Sequence, residues 1–345
     1  MNTAKRRLRL GFFTRVLDET DAAERYRFAT EQILHAERHG FDVAWVAQHH
    51  FHADEGGLPA PLVFLAQAAV QARRIKLGTG IITLPMELPI RVAEDAAVLD
   101  LMCGGRLELG IGSGGTPSSY AAFGLDFEQR GAIMASHTQM LRDAWGGREL
   151  PGGHRLYPAA PGLLDRMWQA SFTVEGARRA GLAGDGLMLS RTQPRPADAP
   201  DLRLDDIQNP MIDAYLAALP PGRAPRIMAS RSVFVTENRA EALRYAEIGL
   251  HRFRTRLESV GRPVPEGTLE EQIKGFDMHL GGPEEVIASL KADTVLQRAT
   301  ELSVQVHSVD PPHPLTLRSI QLVAEEVAPA LGWAPEAAED MRHVA

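Results

Sequence analysis

AEDAAVLDLMCGGRLELGIGSG, residues Ala93–Gly114, holds in one stretch both kinds of segment from which this chain is built. A helix pattern over Arg91–Met102 crosses a glycine pair into the strand pattern Arg106–Ile111, and the strand runs out into glycines. The same alternation continues in both directions. Toward the N-terminus, Leu8–Phe13, Asp42–Ala47 and Ile75–Thr83 read as strands. The first two are followed by helix patterns at Asp21–His39, ended by Gly40, and Pro59–Ala72. Toward the C-terminus the strands are Met167–Phe172, Gly186–Ser190, Arg226–Val235 and Ser303–His307, with helices at Phe127–Trp145, Val174–Ala180, Arg239–Arg256 and Leu315–Leu331. Strict strand–helix alternation implies a parallel sheet covered by helices. Eight such units closing on themselves give an α/β TIM (β/α)8 barrel, with its active site at the C-terminal ends of the strands. An open doubly wound sheet is the competing architecture, and periodicity does not separate the two. Two stretches break the pattern: Arg191–Asp206, rich in Pro and Asp, reads as a long mobile loop. Val260–Leu280, with Pro263 and Pro265, reads as an insertion and not as a second domain. The expectation is one barrel domain over residues 1–345 with loop insertions.

Composition narrows the function. With 37 Lys and Arg against 44 Asp and Glu, the net charge is −7, which gives no general basis for binding nucleic acid. The basic cluster Lys5, Arg6 and Arg7 is too short to alter that. No apolar run approaches the roughly 18 residues of a membrane span, and Arg9 interrupts the first apolar stretch, so no secretory h-region precedes it. A single cysteine, Cys103, excludes an intramolecular disulfide framework. A soluble, cytoplasmic protein is expected.

Four constellations carry chemical potential. Gln48-His49-His50-Phe51-His52 follows a strand, where adjacent side chains point to opposite sides. One of His49 and His50 should face the barrel mouth as a general acid/base or hydrogen-bond donor, and the other should pack sideways. A metal site of His49, His50, His52 and Glu55 is the rival, although the spacing matches no common zinc pattern. In Leu77–Pro85, glycines inside a strand mark a bulge or a close backbone approach to a ligand. In Gly105–Gly115, small residues at a strand end bring backbone N–H groups against a planar or anionic ligand. A dinucleotide fingerprint there lacks the acidic residue expected on a following strand. In Ala170–Gly176, Ser171 and Thr173 open a helix, which provides either ordinary capping or a phosphate seat.

Taken together, these places resemble the bacterial luciferase-like flavin monooxygenases. The matching stretches are AERHGFDVAWVAQHHF (Ala36–Phe51), RIKLGTGIITLP (Arg74–Pro85) and AEDAAVLDLMCGGRLELGIGSG (Ala93–Gly114), then FGLDF (Phe123–Phe127), GDGLML (Gly184–Leu189) and GGPEEV (Gly281–Val286). The resemblance implies a TIM barrel, often dimeric, that uses reduced FMN or, in one branch, the deazaflavin F420. It implies His49 as the catalytic histidine and a non-proline cis peptide at Gly80–Ile81 against the flavin ring. Gly112 and Ser113 would contact flavin, Ser171 and Thr173 would lie near its phosphate, and Ser190 and Arg191 would end the sixth strand beside it. Three positions depart from the family pattern. Gln48 replaces a common glutamate, Ser113 a common phosphate-pairing arginine, and Arg191 an aromatic residue. Arg191 is expected to supply the missing positive charge.

The implied activity is a two-component oxygenation. A separate reductase supplies reduced FMN, O2 is the co-substrate, and a small organic molecule is oxygenated in the dark. F420-dependent hydride transfer and non-catalytic flavin binding are the alternatives on the same fold. A homodimer is expected, with neither a metal nor a nucleic-acid or membrane partner.

Overall fold

The structure is a computed structural model that describes residues 7–336 apart from 197, 200 and 260–266. Lys5, Arg6, Pro263 and Pro265 therefore lie outside the described residues. Arg7, the described member of the basic cluster, pairs with Asp42 at 2.8 Å.

Nine strands run in chain order: β1 Arg9–Thr14, β2 Val43–Val46, β3 Lys76–Thr83, β4 Leu107–Gly112, β5 Met167–Ser171, β6 Gly186–Leu189, β7 Ile227–Val235, β8 Met278–Gly281 and β9 Glu301–Gln305. Each pairs in parallel with its neighbours from β1 to β7. β9 closes the ring, matching Glu301 to Met228 of β7 on one side and to Arg9 of β1 on the other. The closed ring of eight is a TIM barrel, and it uses the eight strands read from the sequence. β8 pairs with the far end of β7, Ser232 to Val235, outside the ring.

Helices cover the barrel: α1 Ala22–Arg38, α2 Pro61–Gln71, α3 Pro89–Met102, α4 Pro117–Ala122, α5 Arg130–Trp145, α6 Val174–Leu182, α7 Leu204–Ala218, α8 Arg239–Ser259, α9 Leu269–Gly275, α10 Pro283–Lys291 and α11 His313–Leu322. Their ends follow local chemistry. Asp21 caps α1 by accepting from the Glu24 N–H, and α1 buries Ala29, Ile33 and Ala36. Proline opens α2, α3 and α10, where a helix needs no N–H donor.

One expectation needs correction. The loop read as Arg191–Asp206 ends at Arg203, because Leu204–Asp206 form the first turn of α7. Asp205 and Asp206 suit that positive helix end, and Leu204, Met211, Ile212 and Tyr215 are buried; Pro210 inside the helix hid it from the sequence reading. Within the insertion Val260–Leu280, the described residues form α9 and most of β8. A Thr268–Glu271 capping box opens α9.

Inside the ring, Trp45 of β2 and Trp168 of β5 meet edge to face, with centroids 5.6 Å apart, and pack with Val43, Met188 and Met228. Each indole lies over a glycine of the next strand. A Cβ on Gly78, the register partner of Trp45, would come within 2.2 Å of that ring. A Cβ on Gly186, the partner of Trp168, would come within 2.1 Å. Gly78 therefore serves core packing, and the expectation of ligand approach does not extend to it.

Below the indoles sit two buried carboxylates. Trp45 Nε1 donates to Glu301 at 2.6 Å, and Trp168 Nε1 donates to Glu108. Arg9 lies 3.2 Å from Glu108 and 3.4 Å from Glu301, and Lys76 lies 2.9 Å from Glu108. Burial would raise Glu108, but Arg9 and Lys76 hold its carboxyl down at about 2. Burial, with the Glu108 charge nearby, pushes Glu301 up to about 7 despite Arg9. Because the folded value lies above the ordinary 4.5, Glu301 favours folding below that pH, and the advantage fades as pH rises to about 7. Glu301→Gln should thus gain stability relative to wild type between pH 5 and pH 8, on the order of 3 kcal/mol. Urea denaturation at the two pH values checks this, and an unchanged difference rejects a buried acid at Glu301.

Candidate functional site

The strands' C-terminal ends form a mouth whose floor is the Trp45–Trp168 cluster, with Phe13 and Ile81 packed on it. The β3–β4 ladder loses register between Thr79 and Ile82, and the Gly80–Ile81 peptide within that break is cis. The bulge turns Ile81 toward Gly112 of the neighbouring strand β4, where an added Cβ would sit 3.1 Å from the Ile81 side chain. The same Cβ would lie 3.6 Å from Ala170 of β5. Ile81, Gly112 and the end of β5 therefore meet in a ledge with little side-chain bulk.

At the end of β2, Gln48 is buried and binds across to β3. Its backbone N–H donates to the Ile81 carbonyl at 3.3 Å, and its side-chain oxygen accepts from the Thr83 N–H at 2.7 Å. His49 follows and lines a cleft of about 260 Å³ with Thr20, Arg25, Phe51 and Gly56. A Cβ on Gly56 would stand 2.5 Å from His49 Nδ1, so that glycine admits the imidazole. His50 goes elsewhere, meeting Phe123 edge-on at 4.9 Å, and burial pushes its imidazole pKa down. Phe51 is exposed at a φ of +65°, a left-handed backbone that a bulky residue rarely adopts.

The four groups of the metal alternative diverge. His52 Nε2 meets Ser118 Oγ at 3.0 Å, and Glu55 accepts from Thr116 Oγ1 at 3.1 Å. These bonds tie the loop after β2 to the loop after β4. Among the described residues, no group of three or more His, Cys, Asp and Glu side chains is arranged to hold a metal ion.

The remaining candidates occupy separate sectors. The Ser113 carbonyl accepts from the Tyr120 hydroxyl. Ser171 Oγ accepts from the Thr173 N–H at 3.0 Å, and Thr173 Oγ1 accepts from the Gly176 N–H at 3.0 Å, so both hydroxyls cap the entry to α6. Ser190 Oγ accepts from the Thr192 N–H at 3.3 Å. Arg191, beyond β6, reaches along the adjoining wall to β7 and β9. Its Nε donates to Gln305 of β9 at 2.7 Å and its Nη1 to Ser232 of β7 at 3.1 Å. Among the described residues it makes no ion pair. Burial pushes its guanidinium down to about 10, countered only in part by the charge of Asp310. The site thus has a small-residue ledge on β3–β5 and, in another sector beyond β6, a partly buried cation, features suited to a flat ligand with an anionic or electron-rich edge.

Sequence reasoning did not anticipate Gln305 or Ser232. They lie 114 and 41 residues from Arg191 and carry no local motif, so only closure of the barrel brings them to it.

Comparison with known proteins agrees with this geometry. The family model described as luciferase-like monooxygenase matches residues 8–300. The chain is 29% identical over 229 residues to 4-hydroxyprotoasukamycin monooxygenase of Streptomyces nodosus subsp. asukaensis, covering 62% of this chain and 60% of that protein. The first curated relatives are matched over 32% to 60% of their own length. In fold, the chain is similar to monooxygenase RslO1 from Streptomyces bottropensis, with a TM-score of 0.76 at 22% identity, covering 93% of this chain and 99% of that one. It is also similar to the oxygenating constituent of 3,6-diketocamphane monooxygenase from Pseudomonas putida, solved with FMN, with a TM-score of 0.73 at 18% identity and coverage of 94% and 98%. With a model match over most of its length and the barrel in place, this chain belongs to the luciferase-like monooxygenase family.

Proposed function

We propose that this protein is an FMN-dependent monooxygenase that takes reduced flavin from a separate reductase and uses O2 to oxygenate a small organic molecule. The observation that carries the reading is the Arg191 guanidinium at the C-terminal end of β6, partly buried, held by the neutral side chains of Gln305 and Ser232 and, among the described residues, without an ion pair. A cation left in that state fits a ligand that brings the missing negative charge. Gly80, Ile81, Gly112 and Ser113 would support the ring, while Arg191 and Ser190 would meet its polar edge or phosphate. Ser171 and Thr173 would act through the opening of α6. Bound reduced flavin supplies the electrons and the site of O2 activation. The chain's own part is to orient that ring, to keep water out above the indole floor, and to hold a proton on the His49 imidazole toward the reacting atoms.

Ser113, which presents no cation where family members commonly have arginine, favours a second reading: F420-dependent hydride transfer. Separate titrations with FMN, reduced FMN and F420 distinguish the two, and tight F420 binding without reduced-FMN binding overturns the first.

His49→Ala should bind FMN nearly as wild type yet lose product formation by about 10² to 10⁴-fold, with O2 consumed to hydrogen peroxide instead. Measuring oxygen uptake, peroxide and product together checks it, and normal coupling rejects the role.

Arg191→Ala should weaken flavin binding on the order of tenfold or more, the loss expected for a charged hydrogen bond. Fluorescence titration reads the change, and unaltered affinity removes Arg191 from the flavin site.

The proposal extends to a homodimer, supported by exposed apolar side chains on two neighbouring helices. Val63 and Val70 stand on one face of α2, and Val98, Leu101 and Met102 on α3, with Val63 73% exposed. Such a patch is larger than single surface residues require. Leu101→Asp should give a monomer with unchanged circular dichroism, as read by light scattering after size exclusion. A wild-type monomer at micromolar concentration contradicts the assignment.

A further inference from the structure

Gln48 stands next to His49, is 5% exposed, and makes three side-chain hydrogen bonds within the protein. The side-chain oxygen takes the Thr83 N–H, and the two amide hydrogens go to the Pro59 carbonyl at 3.0 Å and to Glu87 Oε1 at 2.6 Å. The partners fix the direction of the amide, because Thr83 offers only a donor and Pro59 only an acceptor. One side chain therefore joins the end of β2, the end of β3, the loop before α2 and the turn before α3.

We propose that Gln48 and Glu87 form a clamp of fixed polarity that holds the end of β2 against the bulge of β3, and so sets His49 relative to Gly80–Ile81. Gln48 is a positioning residue in this scheme; its importance for flavin chemistry rests on the function proposed above. The clamp gives a physical reason for the glutamine where family members commonly have glutamate. A carboxylate at position 48 could still accept from Thr83, but it would leave Pro59 without a donor and face the Glu87 carboxylate across a hydrogen-bond distance. Two carboxylates that close share one proton or repel. Burial biases Glu87 toward holding a proton, the hydrogen bond from Gln48 opposes this, and the charge of Asp95 adds to the upward shift. The other ionisable groups around the clamp are Arg91, which pairs with Asp95 at 2.7 Å, His137 of α5, bonded to the Leu84 carbonyl at 3.0 Å, and His49 and His50 on the β2 end itself.

The test uses the full chain and three variants, Gln48→Glu, Glu87→Gln and the double exchange. Amide hydrogen exchange over residues 76–86 is followed against pH without flavin, after correction for intrinsic exchange, and FMN affinity is followed against pH beside it. In Gln48→Glu the shared proton keeps the clamp closed at low pH. Its loss on raising the pH should speed exchange and weaken FMN binding, each on the order of tenfold, the effect of one charged hydrogen bond. Glu87→Gln keeps a neutral bond and should stay near wild type at every pH. In the double exchange the new amide donates to the new carboxylate, no proton is shared, and the pH dependence should vanish. Exchange in Gln48→Glu that tracks wild type across the pH range overturns the clamp, as does a pH dependence that survives Glu87→Gln. If the exchange pattern appears but wild type itself binds no FMN, the clamp stands and the flavin reading fails.

Discussion

Two indoles in the middle of an eight-stranded ring set the conditions under which the rest of this barrel can exist. Trp45 and Trp168 fill the space that a ring of this size must fill with side chains. Each is too large to share a layer with an ordinary neighbour, and Gly78 and Gly186 stand where the adjacent strands pass beneath the rings. Each also carries a buried N–H that needs an acceptor, and Glu301 and Glu108 provide it. Those acids in turn require Arg9 and Lys76. The aromatic layer thereby dictates a charged layer below it and a flat floor above it, on which Phe13 and Ile81 rest.

The two ends of the barrel treat charge in opposite ways. At the bottom, two carboxylates meet two cations and two indole N–H groups, so each charge has partners within the protein. At the mouth, Arg191 is held by the neutral acceptors Gln305 and Ser232. Neutral oxygens orient a guanidinium without cancelling its charge, the condition on which its proposed role toward flavin rests. An aspartate in place of Ser232 would steady the free protein and blunt the site.

Much of this was legible in the sequence. All eight barrel strands were, because buried parallel strands are short apolar runs separated by helix patterns. The luciferase-like family was legible from motifs in order. The helix Leu204–Ala218 was not, since Pro210 and the neighbouring aspartates resemble a loop until its apolar face is seen against α6. The glycines were only half legible. Gly78 and Gly80 sit two apart in one strand, yet Gly78 makes room for Trp45 in the core and Gly80 belongs to the bulge at the mouth. Local pattern says that a side chain is unwelcome at both positions; only the fold says what stands there instead. Gln305 and Ser232 were invisible for a related reason, being ordinary polar residues until ring closure brings them to Arg191.

The same reasoning explains why, among the described residues, the side chains of the histidine run do not converge. Successive residues leaving a strand end diverge, and each finds a different neighbour: a glycine gap for His49, an aromatic edge for His50, and a hydroxyl on the adjoining loop for His52. A metal site needs ligands to converge, and convergence from consecutive positions would require the chain to fold back within a few residues. Here the chain instead enters the left-handed region at Phe51, which carries His52 and Glu55 across to the loop after β4. The turn at Phe51 thus closes one rim of the mouth and sends His52 and Glu55 to Ser118 and Thr116, away from the Gly56 gap that receives His49.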